Sequence, residues 1–163
     1  MIRALLAALA ILGVAAPAAA QQADGPYAYA ENDAAMNAAI AEARRTLPVF
    51  WRRAADAGTS RPLVKVAVPA DDGANEYMWI AEARPTGAGY AGVLLNQPRL
   101  IAGLAPGSTV SFTEGQIVDW AYESGGRLWG AYTQRVMLEQ LDPAAAARHR
   151  AYLSETPLEP KTD

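Results

Sequence analysis

Apolar side chains recur every three or four positions from residue 33 to about residue 54, and from residue 61 onward they alternate. Met36, Ile40, Ala43 and Leu47 stand at i, i+4, i+7 and i+11, one stripe of a helix that Asn32 or Asp33 can cap. Thr46 and Pro48 read as a fresh helix start. A second helix is therefore predicted, with Leu47, Phe50, Trp51 and Ala54 as its stripe and Gly58 at its C′ position. Val64, Val66 and Val68 then alternate with Leu63, Lys65 and Ala67, the pattern of a half-buried strand. A turn over 69–73 leads to a second strand over 76–84. Its Tyr77, Met78, Trp79 and Ile80 make both faces apolar, as in a central strand.

Further strands are predicted over 90–95, 108–113 (Val110 and Phe112 inward), 116–122 and 127–138. Asp142-Pro143 starts a short alanine-rich helix reaching about residue 153. Close-spaced strands with Gly and Pro turns predict an α+β fold. Its sheet is an antiparallel meander or small barrel-like sheet of five to six strands, with two N-terminal helices and a short C-terminal helix. One domain is expected over 33–153, after a flexible leader over 21–32. The tail over 154–163 holds three acids, two prolines and a lysine, and is expected to be disordered.

The N-terminus changes the setting. Arg3 precedes an apolar run over 4–16, Pro17 breaks it, and Ala18-Ala19-Ala20 supplies the small-x-small pattern of signal-peptidase cleavage. A Sec-type signal peptide cut after Ala20 is predicted, placing the mature chain in the periplasm or outside the cell with no stable membrane anchor. With no twin arginine before the run, export in the unfolded state is expected. Taking Arg3 from the 14 basic residues leaves 13 against 17 acids, a net charge of −4. A mildly acidic chain is a poor partner for nucleic acid. Arg44, Arg45, Arg52 and Arg53 cluster, which reads as the solvated face of helix rather than an anion site.

Gly125-Gly126 marks a hairpin turn between strands five and six. Its register sets Ser124 against Arg127, Tyr122 against Trp129, Trp120 against Ala131 and Asp119 against Tyr132. Ala121 opposite Gly130 leaves a shallow groove beside Asp119 and Tyr132, and Arg135 lies further along the Trp120 face. An acid, a phenol, an arginine and an indole thus converge, either as a polar site with aromatic walls or as core in which Asp119 and Arg135 satisfy buried backbone or each other. The candidate ligand-binding residues are Trp79, Asn96, Asp119, Trp120, Tyr132 and Arg135.

At these residues a family resemblance enters. Met78-Trp79, Gly92, Asn96, Pro98, Gly103-Leu104, Gly107, Val110, Phe112, Ile117, Asp119-Trp120, Tyr122, Gly126, Gly130-Ala-Tyr-Thr133 and Arg135 resemble the YegJ-like domain family of bacterial proteins, a family of unknown function. The stretch over 33–44, with Leu47-Pro48 and Phe50-Trp51, is similar to its helical lead-in. The resemblance covers about residues 33–138 and implies no catalytic residues.

Chemistry is narrowed by what the chain lacks. It has no cysteine and one histidine, His149, set among Ala147, Arg148 and Arg150. A thiol nucleophile is excluded, a Ser-His-Asp triad is not expected, and no zinc or copper site can be assembled from His and Cys. No metal or cofactor is expected. Asp71, Asp72, Glu76, Glu114, Asp119 and Glu123 could supply an acid/base pair for glycoside cleavage, but no spacing singles out two of them. The reading the residues favour is an exported, non-catalytic binding domain whose partner is a cell-envelope protein or polymer. The alternatives are an inhibitor or immunity-type protein against a toxin or enzyme, and a carbohydrate-directed hydrolase using two carboxylates.

Overall fold

The computed structural model describes residues 33–159. One long helix, α1 (Ala34–Ala54), opens it, with the Asp33 side chain accepting the Met36 N–H at 3.0 Å. The two helices expected here are a single one, because Pro48 does not break it. A helical proline removes one donor. The apolar stripe runs on across it through Ala43, Leu47 and Phe50, and the Thr46 hydroxyl donates back to the Glu42 carbonyl at 2.8 Å. The cap is Ala55, short of the Gly58 expected at that end.

Six strands follow: β1 (Ser60–Pro69), β2 (Asn75–Thr86), β3 (Gly89–Leu94), β4 (Thr109–Phe112), β5 (Ile117–Ser124) and β6 (Arg127–Gly130). They form one antiparallel sheet in the order β4-β3-β2-β1-β5-β6. The first four make a meander, and β5 then crosses to the far side of β1. Only four residues, including a 3-10 turn over Glu114–Gln116, make that crossing. In a flat sheet it would have to cover about 19 Å, and five peptide units reach about 17 Å. The sheet therefore curls, staying open instead of closing into a barrel, and α1 lies in its concave face. Arg44 pins the crossing by donating to the Ile117 and Gly115 carbonyls, each at 2.9 Å.

The core fills that concave face. Leu47 and Phe50 of α1 meet Val64, Val66, Met78, Ile80, Leu94, Phe112, Trp120 and Tyr122 of the strands. Ile101 and Leu104, in the long β3–β4 connection, close one end.

Beyond Gly130 the chain departs from the sixth strand expected over 127–138. Gly130 (φ 74°) and Ala131 (φ 54°) are both left-handed and turn it out of the sheet. It continues as α2 (Tyr132–Met137), a 3-10 turn (Leu138–Gln140) and α3 (Pro143–Arg150), whose N-terminus Asp142 caps. Leu138, Leu141 and Leu153 of this return pack on Ala121 and Leu128, over the β5–β6 end of the convex face. Residues 154–159, expected to be disordered, run beside β6. Ser154 N–H donates to the Leu128 carbonyl at 3.0 Å and Gly130 N–H to the Pro157 carbonyl at 2.9 Å. The expected signal peptide over 1–20 and leader over 21–32 lie outside the described residues, as do 160–163. No helix among the described residues is long and apolar enough to cross a membrane.

Candidate functional site

The hairpin register holds from Ser124↔Arg127 through Tyr122↔Trp129 to Ala121↔Gly130. Gly125 (φ 57°) and Gly126 (φ 73°) supply the two positive angles of a type I′ turn. The groove expected at Gly130 is absent. A Cβ there would lie 2.4 Å from the Trp120 ring and 2.3 Å from its carbonyl oxygen, so the indole itself fills the space.

Trp120 and Tyr132 are core residues. Trp120 is fully buried, stacked on Tyr122 at 5.8 Å and edge-on to Tyr132 at 5.5 Å. Its indole N–H donates to the Ala43 carbonyl at 3.0 Å. The Thr46 hydroxyl shares a 3.0 Å hydrogen bond with the Tyr132 hydroxyl, and burial raises that phenol's pKa. These contacts lock β5 and α2 to α1 and leave no indole face for a ligand.

Asp119 points to the opposite face of β5 and is also fully buried. Its Oδ1 accepts the N–H groups of Trp120 (2.8 Å) and Tyr132 (3.0 Å), and its Oδ2 accepts the Thr133 N–H (2.8 Å) and hydroxyl (2.6 Å). The residue at the N-cap of α2 is Ala131, which has no side-chain oxygen, so Asp119 caps that helix from the neighbouring strand. Burial pushes its carboxyl pKa up, against the opposing pull of Thr133 and of Lys65, its partner across β1. Arg135 bonds other groups. Its guanidinium donates to the Gly130 carbonyl (3.0 Å), the Ser154 carbonyl (3.0 Å) and the Ser154 hydroxyl (2.9 Å), tying the end of β6 to the C-terminal segment. Burial lowers its pKa.

The remaining two residues form a separate place. Trp79 lies on the convex face, half-buried, with the Lys65 ammonium 5.5 Å from its ring centroid. Asn96 Oδ1 accepts the Trp79 N–H at 2.7 Å, and the Trp79 carbonyl accepts the Leu95 N–H at 3.0 Å. By register, Leu63, Tyr77, Ala81 and Val93 share this face, all partly exposed, and Leu95 is 39% exposed. The helical return covers the β5–β6 end and stops beside Trp79. β1 and β5 separate Trp79 from the hairpin end where Arg135 is bound. The six residues predicted as one site are thus three: a core pair, a structural Asp and Arg, and the Trp79–Asn96 pair.

Each carboxylate considered for glycoside chemistry has a local partner. Glu76 holds the Arg99 and Leu100 N–H groups (2.8 and 2.9 Å), Asp71 that of Ala102 (3.1 Å) and Asp72 that of Ala74 (3.0 Å). Glu114 accepts the Tyr90 hydroxyl (3.1 Å), and Glu123 accepts from Arg61 (2.8 Å) and Tyr152. No group of three or more potential metal ligands occurs among the described residues. Lys65, Leu63, Tyr77, Val93 and Leu95 were not singled out from sequence. The available signal was the register that places Lys65 directly opposite Trp79.

A family model described as "Uncharacterized protein conserved in bacteria (DUF2314)" matches residues 33–154. The chain is 26% identical over 119 residues to the uncharacterized protein YegJ of Escherichia coli K12, covering 73% of this chain and 77% of that protein. It is 29% identical over 134 residues to a Neisseria meningitidis serogroup B protein named "Putative ankyrin repeat protein", covering 77% of this chain. The chain spans about half the length of that relative, 53%. No solved structure matches. With its match running from the cap of α1 to the Ser154 that Arg135 holds, the chain belongs to the bacterial DUF2314 family.

Proposed function

We propose that this chain is an exported, non-catalytic binding domain that meets a cell-envelope protein or polymer through the convex face of its sheet around Trp79 and Asn96. The observation that carries the reading is the asymmetry of the two faces. The concave face is filled by α1, whereas the convex face over β1, β2 and β3 presents Leu63, Tyr77, Trp79, Val93 and Leu95 partly to solvent. A contiguous apolar area rimmed by polar groups is the usual mark of an interaction surface; Lys65 is buried beside the Trp79 ring and opposite Asp119, so what this face offers a partner is apolar side chains and the indole. Binding also requires none of the carboxylates, each of which has a structural partner. Export rests on the apolar run over 4–16 and on Ala18-Ala19-Ala20.

The test is site-specific photo-crosslinking in living cells. A photoreactive residue at Leu95 is expected to yield a discrete adduct with one envelope component, and the same residue at Asp56, at the far end of α1, none. Equal adducts from both positions, or none from Leu95, would overturn the assignment. Reproducible hydrolysis of a glycan by the wild-type chain would overturn the non-catalytic part.

A further inference from the structure

The two edges of the sheet are treated differently. Along β6 the chain supplies its own cover: Leu128 bridges Leu153 in parallel, and Gly130 donates to Pro157. β4 pairs with β3 and, among the described residues, with no other strand. Its Thr109 and Ser111 are exposed, as is Thr113 just after it. Unpaired edges are normally blunted by charge, proline or a bulge. Residues 108–113 read Ser-Thr-Val-Ser-Phe-Thr, with no charge and no proline, and the β3–β4 ladder runs without a register shift.

Hydrogen-bond parity shows what this edge offers. Leu94 N–H donates to the Ser108 carbonyl at 2.9 Å, so by alternation Val110 and Phe112 aim their backbone groups at β3. Thr109, Ser111 and Thr113 aim theirs outward. Gln116 closes the Thr113 pair, its side chain accepting the Thr113 N–H at 2.9 Å and its N–H donating to the Thr113 carbonyl at 3.1 Å. Two residues remain, Thr109 and Ser111, with two donors and two acceptors in one row.

We propose that β4 pairs antiparallel with β4 of a second copy of this chain, about a two-fold axis through Val110. In that register Thr109 faces Ser111 of the second copy and Ser111 faces its Thr109. All four outward backbone groups are then satisfied by four hydrogen bonds, with none left over. Hydroxyl side chains meet hydroxyl side chains on the convex face, a favourable cross-strand pairing. Val110 meets Val110 on the concave side, which joins the two apolar faces. The strand carries no charge, so the two-fold brings no like charges together. A seam of one short strand is small for a stable interface, and the association is accordingly weak and concentration-dependent.

Sedimentation velocity over a concentration series is expected to show the average mass rising from one chain toward two. Thr109→Lys with Ser111→Lys should hold it at one chain while melting like wild type, because both side chains are exposed and neither backbone bonds to β3. The chain has no cysteine, so introduced thiols report the register directly. A mixture of Thr109→Cys and Ser111→Cys chains is expected to form a mixed disulfide in higher yield than either alone. A wild type that stays at one chain throughout, or a double-lysine variant that still associates, would overturn the proposal. So would a Ser111→Cys chain that links to itself as well as to Thr109→Cys, since that places the axis elsewhere.

Discussion

Trp120 on β5 and Trp79 on β2 flank the same strand, β1, and point to opposite faces of one sheet. Trp120 is fully buried, its N–H bonded to the Ala43 carbonyl and its ring enclosed by Phe50, Tyr122 and Tyr132. Trp79 is half-buried, and the helical return that covers the neighbouring strands ends beside it. The two residues have the same chemistry and the same kind of strand around them. The layer that packs over each one decides whether it is core or surface. A tryptophan on a strand therefore identifies a binding face only once the covering elements are known.

The largest effect tests the core half of this comparison. Trp120→Ala should cost about 3–5 kcal/mol, the range for deleting a buried aromatic. A denaturant midpoint near wild type would mean that the indole is not enclosed. Gly130→Ala tests the same packing from the other side. Its Cβ would meet the Trp120 ring at 2.4 Å in a left-handed position, so a loss of about 1–3 kcal/mol is expected from overpacking. Arg135→Ala separates structure from ligand binding at the hairpin. It leaves the Gly130 and Ser154 groups without their donor, and should cost about 1–3 kcal/mol while leaving adduct formation from Leu95 intact. Unchanged stability with loss of the adduct would move the ligand face to the hairpin.

A smaller effect appears at alkaline pH. Burial, with Glu159 nearby, raises the Tyr122 phenol from 10.0 to about 12. Its folded pKa thus lies above the unfolded one. The stability it contributes is fully present below pH 10.0 and is lost as pH rises toward about 12, because the unfolded phenol ionises first. Tyr122→Phe should remove this share of the alkaline loss in melts across that window. An identical pH profile for variant and wild type would contradict the burial of this ring.

Much of the fold was legible because local rules and packing agreed. Val64, Val66 and Val68 alternated as a strand should, and Gly125-Gly126 specified the turn and with it the hairpin register. The departures came where two local signals competed. Thr46 and Pro48 look like a helix start, but the stripe through Ala43, Leu47 and Phe50 holds the helix together across them. Alternation after Gly130 suggested more strand, but the left-handed Gly130–Ala131 pair and the cap supplied by Asp119 made α2. The site was less legible, since strand alternation assigns residues to two faces without saying which one a helix covers. Trp120, Asp119 and Tyr132 therefore read as a ligand cluster. Lys65, opposite Trp79, read only as an alternating position.

The central claim is that the face around Trp79 is the one used. Its most direct test is the yield of the Leu95 photo-adduct with and without Trp79→Ala. The indole packs against the edge of the β5–β6 cluster, so Trp79→Ala is expected to cost about 1–3 kcal/mol, and a thermal melt of the variant checks that it is folded under the assay conditions. The adduct is expected to fall at least severalfold. An adduct of undiminished yield from a folded Trp79→Ala chain would contradict the claim that this face, and this tryptophan, meet the partner.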